Sequence, residues 1–289
     1  MVVLGGDTIV YTRAGIVEAK KIVLGDPILG ANGKYFCAVK VEPTKCAMVR
    51  VATNIGTFDV GSDTLVRSAD GATVAASKLA PGDIIYSGKR QYVGQAGISA
   101  IDLGVPMAVD DATTKVAFLG YLHAVAPCTF IRGASIIIPK VWRLPEEFRN
   151  CDPVGDSMMR IYSHDLAAMC QTHYEYPKLP TWLASCSLKA RRNYFTGYWI
   201  GFNNTDKRLM ASNNLVTIFN SIAATIGYQF YIESMCGTRE VIGSLSVVPT
   251  TELAPASVRH VFHYNGPAYN IATGGGIATV GGDLWTVKI

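Results

Sequence analysis

The chain is 289 residues long, 49% hydrophobic and 17% charged, with a formal net charge of +4. That length allows a substantial core in one large domain or two ordinary ones, and the apolar content excludes intrinsic disorder. No apolar run approaches the ~20 residues of a membrane span and no basic-then-apolar leader opens the chain, so a soluble globular protein without a membrane partner is expected.

The first elements come as a pair. Asp7-Thr8-Ile9-Val10 matches Asp63-Thr64-Leu65-Val66 at an offset of 56, and Gly25-Asp26 matches Gly82-Asp83 at 57, one inserted residue reconciling the two. Each copy reads as short strand, glycine turn, short strand, then Gly-Asp and a further apolar strand. The first copy predicts strands at Ile9–Tyr11, Ile16–Val17 and Ile28–Leu29, and the second at Leu65–Val66, Thr73–Val74 and Ile84–Tyr86. Two similar β units in tandem predict a pseudo-two-fold fold in which each half covers the apolar face of the other.

The middle of the chain turns helical. Ala117–Pro127 and Tyr194–Asn204 share Gly-Tyr at 120–121 and 197–198, an offset of 77, with apolar flanks suited to helices. Between 208 and 232 a short strand precedes Ser-Asn-Asn and a run with Leu215, Ile218, Phe219, Ile222 and Ile226 on one helical face. His260 and His263 fall in a strand-like stretch, where an odd spacing puts them on opposite faces. Thr273–Gly282 is glycine-rich, but without a following Gly-Lys-Ser/Thr it reads as hairpin turns and not as a phosphate cradle. Seven scattered cysteines without a C-x-x-C pair fit reduced thiols, and five scattered histidines give a zinc site no support.

Leu4–Thr8, Leu79–Ile85 and the tail Ala268–Ile289 resemble the opening, middle and closing segments of the Hint (Hedgehog/intein) fold, and the paired Gly-Tyr helices resemble those of LAGLIDADG homing endonucleases often inserted in inteins. The resemblance implies an α+β fold: a pseudo-two-fold, β-rich horseshoe over 1–112 and 254–289, enclosing an insert of degenerate αββ repeats over 113–253. The first and last segments would then be neighbours in space.

The resemblance also says where chemistry would sit. Splicing begins with attack by a Cys or Ser side chain on the preceding carbonyl, and alignment on Gly-Asp-Thr puts Val3 there. The assisting histidine of the family falls at Thr64, and no histidine precedes His123. The penultimate His and terminal Asn fall at Thr286 and Val287, with no Asn after Asn270. Only Met1-Val2 precedes Val3 and only Lys288-Ile289 follows Val287, so the sequence carries no flanking pieces to ligate, and no splicing is expected. The acids that hold divalent metal at the ends of the paired helices fall at Val125 and Phe202, which cannot ligate Mg²⁺. A slip of one residue supplies no carboxylate either.

A non-catalytic, domesticated intein-like component of an assembly is therefore expected, with no cofactor, a protein partner, and the cytoplasm or a phage particle as its setting. The alternative is a LAGLIDADG-type DNA endonuclease using Mg²⁺ through rearranged acids, or a DNA binder that does not cut. From Thr113 to Leu253 thirteen Lys and Arg stand against ten Asp and Glu, too small an excess to mark a DNA saddle. Candidate binding-surface residues are Trp142, Tyr176, Trp182, Lys189, Arg191 and Arg192.

Overall fold

The two copies of the repeated motif fold alike, strand for strand. In the first copy β1 (Val2–Gly5), β2 (Ile9–Thr12), β3 (Gly15–Glu18) and β4 (Pro27–Leu29) lead into β5 (Tyr35–Thr53). The second copy is β6 (Thr57–Gly61), β7 (Leu65–Arg67), β8 (Thr73–Ala75) and β9 (Ile84–Tyr86). Then come α1 (Ala112–Val125), β10 (Phe130–Arg132), β11 (Ser135–Pro139), β12 (Asp152–Val154), β13 (Met158–Tyr162), α2 (His164–Glu175), α3 (Leu188–Asn203), β14 (Arg208–Met210), α4 (Asn213–Ala223), β15 (Tyr228–Cys236) and β16 (Glu240–Val247). The chain closes with β17 (Pro255–Thr273), β18 (Ile277–Val280) and β19 (Trp285–Lys288). This computed structural model describes residues 2–13, 15–30, 34–86, 112–126, 129–140, 144, 148, 151–175, 183, 186–203, 208–210, 213–236, 240–247, 255–274, 277–280 and 285–288.

Hydrogen bonds reproduce the duplication atom for atom. Thr8 O accepts from Ala19 N at 2.8 Å as Thr64 O accepts from Ala76 N at 2.9 Å, and Gly6 O accepts from Lys20 N as Ser62 O does from Ser77 N, both at 3.0 Å. The recurring Gly-Asp has a local reason. Gly25 and Gly82 take φ of +89° and +98°, a region costly for residues with a Cβ. The carboxylate that follows accepts from a backbone N–H three residues back: Val23 to Asp26 at 2.9 Å, and Ala80 to Asp83 at 2.8 Å. The single inserted residue lies in the β7–β8 turn, because Val10 pairs with Val17 and Val66 with Val74.

The same symmetry relates β5 to β17, which run antiparallel with Cys46 opposite Gly266. Leu29 pairs with Tyr35, with only residues 30–34 between them in sequence. The equivalent pair, Tyr86 with Pro255, is separated in sequence by 87–254. The long middle region thus takes the place of a five-residue connection.

Two compact units result. The first comprises Met1–Gly94, Asn213–Ile232 and Leu245–Ile289, the second Gln95–Ser212 and Glu233–Ser244. Asn213–Ile232 groups with the β unit although chain order places it inside 113–253. In the first unit the strands follow the order β8-β7-β19-β18-β2-β4-β5-β6-β1-β17-β9, with β3 on β2, around a core that includes Leu4, Val10, Val49, Val60, Val66 and Ile271. Helix α4 is fixed to this sheet by polar contacts. Asn220 Nδ2 donates to the carbonyls of Ile55 and Phe230 while its Oδ1 accepts from Phe230 N at 2.8 Å. Tyr11 Oη donates to Ser221 O at 2.9 Å, and Thr57 N to Thr217 Oγ1 at 3.1 Å. Of the apolar face read from the sequence, Phe219, Ile222 and Ile226 are buried and Ile218 is half-buried.

In the second unit α1 and α3 lie backbone against backbone. A methyl group on Gly120 would overlap the Tyr194 carbonyl, and one on Gly197 the Ala117 carbonyl, which explains the glycine of each Gly-Tyr pair. A four-stranded antiparallel sheet, β10-β11-β13-β12, contributes Ile136, Ile138, Met159 and Ile161 to a core shared with Tyr121, Leu122 and Leu166.

Candidate functional site

Strand pairing holds the amino-terminal strand β1 against β17 and the carboxyl-terminal strand β19 against β7. Val3 on β1 lies opposite Asn270 on β17. Its side chain packs over Gly61, where an added Cβ would sit 2.7 Å from Val3 Cβ. The turn that follows carries Thr64, which is buried and donates its hydroxyl to the Val3 carbonyl at 3.4 Å. Strand β19 runs beside β7, pairing Val287 with Val66 and Lys288 with Leu65. Thr64 thus links β1, through the Val3 carbonyl, to the start of β7, on which β19 pairs. The Thr64 hydroxyl at Val3 is committed as a donor to its carbonyl. An unactivated hydroxyl is a poor nucleophile.

The pseudo-two-fold mate of this centre is polar. The operation that carries β1 onto β6 and β17 onto β5 puts Asp59 in the place of Val3, Arg50 in that of Asn270 and Thr8 in that of Thr64. Thr8 Oγ1 donates to Asp59 O at 2.8 Å, the counterpart of the Thr64 bond. Arg50 grips the Asp59 carboxylate with Nε at 2.8 Å and a second guanidinium nitrogen at 2.7 Å. These residues, with Asp7, Glu18 and Thr217, line a cleft of about 330 Å³.

Charges in the cleft are matched to each other. Lys20 bonds Asp7 at 2.7 Å and reaches Glu18 at 3.3 Å, while Lys21 reaches Glu18 at 2.9 Å. The Lys21 hydrogen bond lowers the Glu18 pKa, and the Asp59 bond raises that of Arg50. Tyr264, beneath the Arg50 guanidinium, is pushed up to about 12, first by burial and then by the Asp59 charge.

In the second unit the positions read as former metal acids are closed by packing. Val125 is completely buried within the α1–sheet core, and Phe202 is buried on α3. Gly201, one residue before Phe202, has no room for a larger side chain, since an added Cβ would lie 2.8 Å from both Ala124 Cβ and the Tyr121 carbonyl. Among the described residues no group of three or more His, Cys, Asp or Glu is placed to hold a metal ion.

Of the candidate surface residues, Lys189 and Arg192 are exposed. Arg191 is not a surface residue: it is completely buried on the α3 face that also carries Tyr194, Phe195 and Tyr198. Helix periodicity put it there, one turn before Tyr194, and its charge gave the opposite impression. Trp142, Tyr176 and Trp182 lie outside the described residues. Sequence reading missed the outer face of the four-stranded sheet. The register puts Phe130, Ile137, Arg160 and Asp152 in one row and Arg132, Ser135 and Tyr162 in the next. Phe130 is 66% exposed and Tyr162 60%, so aromatic rings and guanidinium groups meet solvent together. Period-2 alternation in these short strands was the available signal. His260 and His263 lie on β17 as a strand, both exposed.

No protein-family model matches the chain, and no curated protein matches it. Among solved structures, the chain is similar to several inteins. The gp41-1 intein is 22% identical over 30% of this chain and 69% of its own, with a TM-score of 0.28. The MchDnaB-1 intein is 21% identical over 28% of this chain and 65% of its own, with a TM-score of 0.26. The Msm DnaB1 intein splicing domain bound with zinc is 18% identical over 28% of this chain and 66% of its own, also at 0.26.

Proposed function

We propose that the protein is a non-catalytic, intein-like component that acts by binding within an assembly, with a phage particle as its natural setting and another protein as its partner. The observation that carries this reading is the Val3 centre. At the positions that the resemblance marks, Val3 lies on β1 opposite Asn270, Thr64 donates to the Val3 carbonyl and Val287 lies on β19 beside Val66, and none of the three supplies a thiol, an imidazole or a carboxamide. A fold retained without its reactive groups is retained for shape. Purified full-length chain incubated with dithiothreitol and hydroxylamine is expected to remain a single band, and a discrete shorter product would overturn the proposal.

A second reading, a DNA binder of the LAGLIDADG type that does not cut, is favoured by the outer sheet face with Phe130, Arg132, Arg160 and Tyr162. Cations that meet phosphates give affinity that falls with salt, and aromatic rings add stacking. Cutting would further require Mg²⁺ held by acids other than those at 125 and 202, where the side chains are apolar. Gel-shift titrations at 50 and 200 mM salt separate the two readings. The assembly reading expects weak duplex binding and a protein partner recovered from the source particle; tight, salt-sensitive binding with no partner recovered would favour DNA.

A further inference from the structure

The outer face of the four-stranded sheet is apolar where a solvated face would be polar. Successive residues of a strand point to opposite sides, and Ile136, Ile138, Met159 and Ile161 point into the core. The residues between them therefore face outward. Val154, Met158 and Pro139 form one row, Asp152, Arg160, Ile137 and Phe130 the next, and Tyr162, Ser135 and Arg132 the third. Phe130 and Tyr162, 66% and 60% exposed, present on the order of 250 Å² to solvent between them. Arg160 donates to the Tyr162 hydroxyl at 3.4 Å, which holds ring and guanidinium together on the surface. Aromatic rings, Met and Arg are the side chains that protein interfaces favour, and Lys and Glu, which these rows lack, are among those they avoid.

The placement of charge says what covers this face. The strand order is β10-β11-β13-β12, so Arg132 and Asp152, both exposed, stand on opposite outer strands, ~14 Å apart at ~4.8 Å per strand. The cross-strand neighbours of Arg132 in its own sheet are Ser135 and Tyr162. Sheets that pack face to face keep their strands nearly aligned. A two-fold axis parallel to the strands, lying in the contact plane, lays β12 of one copy over β10 of the other. Asp152 then meets a strand on which Phe130 and Arg132 are two residues, ~7 Å, apart, within reach of an arginine side chain. On the inner strands, the aliphatic stem of Arg160 covers Ile137 of the other copy. The alternative two-fold, across the strands, stacks β12 on β12 and β10 on β10, setting acid against acid and Arg132 against Arg132. The face is thus complementary to itself in one orientation and repels itself in the other.

We propose that the outer face of this sheet is a homodimer interface, covered by the same face of a second copy about a two-fold axis parallel to the strands, with Arg132 of each copy against Asp152 of the other. Such an isologous contact makes every pair occur twice. The inference goes beyond the assembly reading and stands apart from it, because self-association is measured without any foreign partner. Strands of three to five residues cover less than the ~800 Å² per partner of a standard interface, so the dimer is a weak one, with a Kd on the order of 10 µM.

The test is sedimentation velocity of the full chain between about 1 and about 100 µM, which brackets the expected Kd. The unmodified protein should pass from monomer to dimer over that range. Arg132→Asp and Asp152→Arg should each weaken dimerisation by about tenfold or more, since each sets like charges together at both contacts. An equimolar mixture of the two variants should dimerise at least as well as the unmodified chain, because every contact then joins opposite charges. Residues so far apart in one sheet give that rescue only between copies. Should circular dichroism show that Asp152→Arg, which sets a second cation beside Arg160, does not fold, Phe130→Ser decides: dimerisation weakened about tenfold or more supports the interface, and unchanged dimerisation sinks it. A chain that stays monomeric at about 100 µM would overturn the proposal. So would a dimer indifferent to both charge reversals, a mixture no better than its components, or a monomer whose duplex DNA binding is lost with Phe130→Ser, which would give the face to DNA.

Discussion

At Gly197 there is no space for even a methyl group, because the Ala117 carbonyl occupies the position a Cβ would take. Gly133 is a different kind of glycine: it sits in an open turn at φ +61° with nothing near its would-be Cβ. Replacing each by alanine separates the two physical causes. At Gly133 the cost is backbone strain alone, about 1 kcal/mol. At Gly197 the helices must move apart, which loosens the packing of Tyr194, Tyr198 and Phe202, so Gly197→Ala is expected to lose about 3 kcal/mol or more in chemical denaturation, or not to fold. Equal stabilities would refute the backbone contact. The same tight packing explains why Val125 and Phe202 are apolar: a carboxylate at either position would be stripped of water.

Which elements were readable from the sequence depended on whether their signal was local. The duplicated strands were readable because glycine turns and Gly-Asp carboxylates act within a few residues, and all six predicted strands form. Helix α4 was readable from its apolar period. Its grouping with the β unit was not, because Asn220, Thr217 and Tyr11 bond to partners far away in sequence, and nothing near these residues announces such a partner. The two 19-residue strands β5 and β17 also gave no clear signal. Around Glu42–Ala47 and Phe262–Pro267 many consecutive residues are exposed or half-buried, so alternation fails where the strands are longest. Motif order singled out Val3 and Thr64 in the sequence, whereas the Arg50–Asp59 pair, formed between adjacent strands, appears only once β5 and β6 are in register. Arg191 was misread because charge is a weaker guide to exposure than position on a helix face.

The architecture of the whole chain makes a prediction about what the β unit needs in order to fold. Its pseudo-two-fold equates the connection 30–34 with the region 87–254, since both join strands already paired at Leu29–Tyr35 and Tyr86–Pro255. By strand pairing alone, a five-residue turn in place of 87–254 should close the unit. The side chains say otherwise. Such a chain loses α4, leaving the Ile55 carbonyl and Tyr11 hydroxyl without the partners described here and uncovering the apolar surface that Phe219 and Ile222 protect. Unsatisfied buried polar groups cost ~1–3 kcal/mol each and a buried aromatic or aliphatic side chain contributes ~1.5–3 kcal/mol, so the loss is comparable with the whole stability of a small domain. We therefore expect two shortened chains to behave differently in thermal melts followed by circular dichroism. One replaces 95–212 and 233–244 by flexible glycine-serine linkers and keeps 213–232; it should unfold in a single cooperative transition. The other replaces all of 87–254 by a five-residue turn and should melt far lower, or be unfolded at 25 °C. If the second chain is as stable as the first, α4 is an accessory to the β unit and the polar contacts of Asn220 do not hold it together.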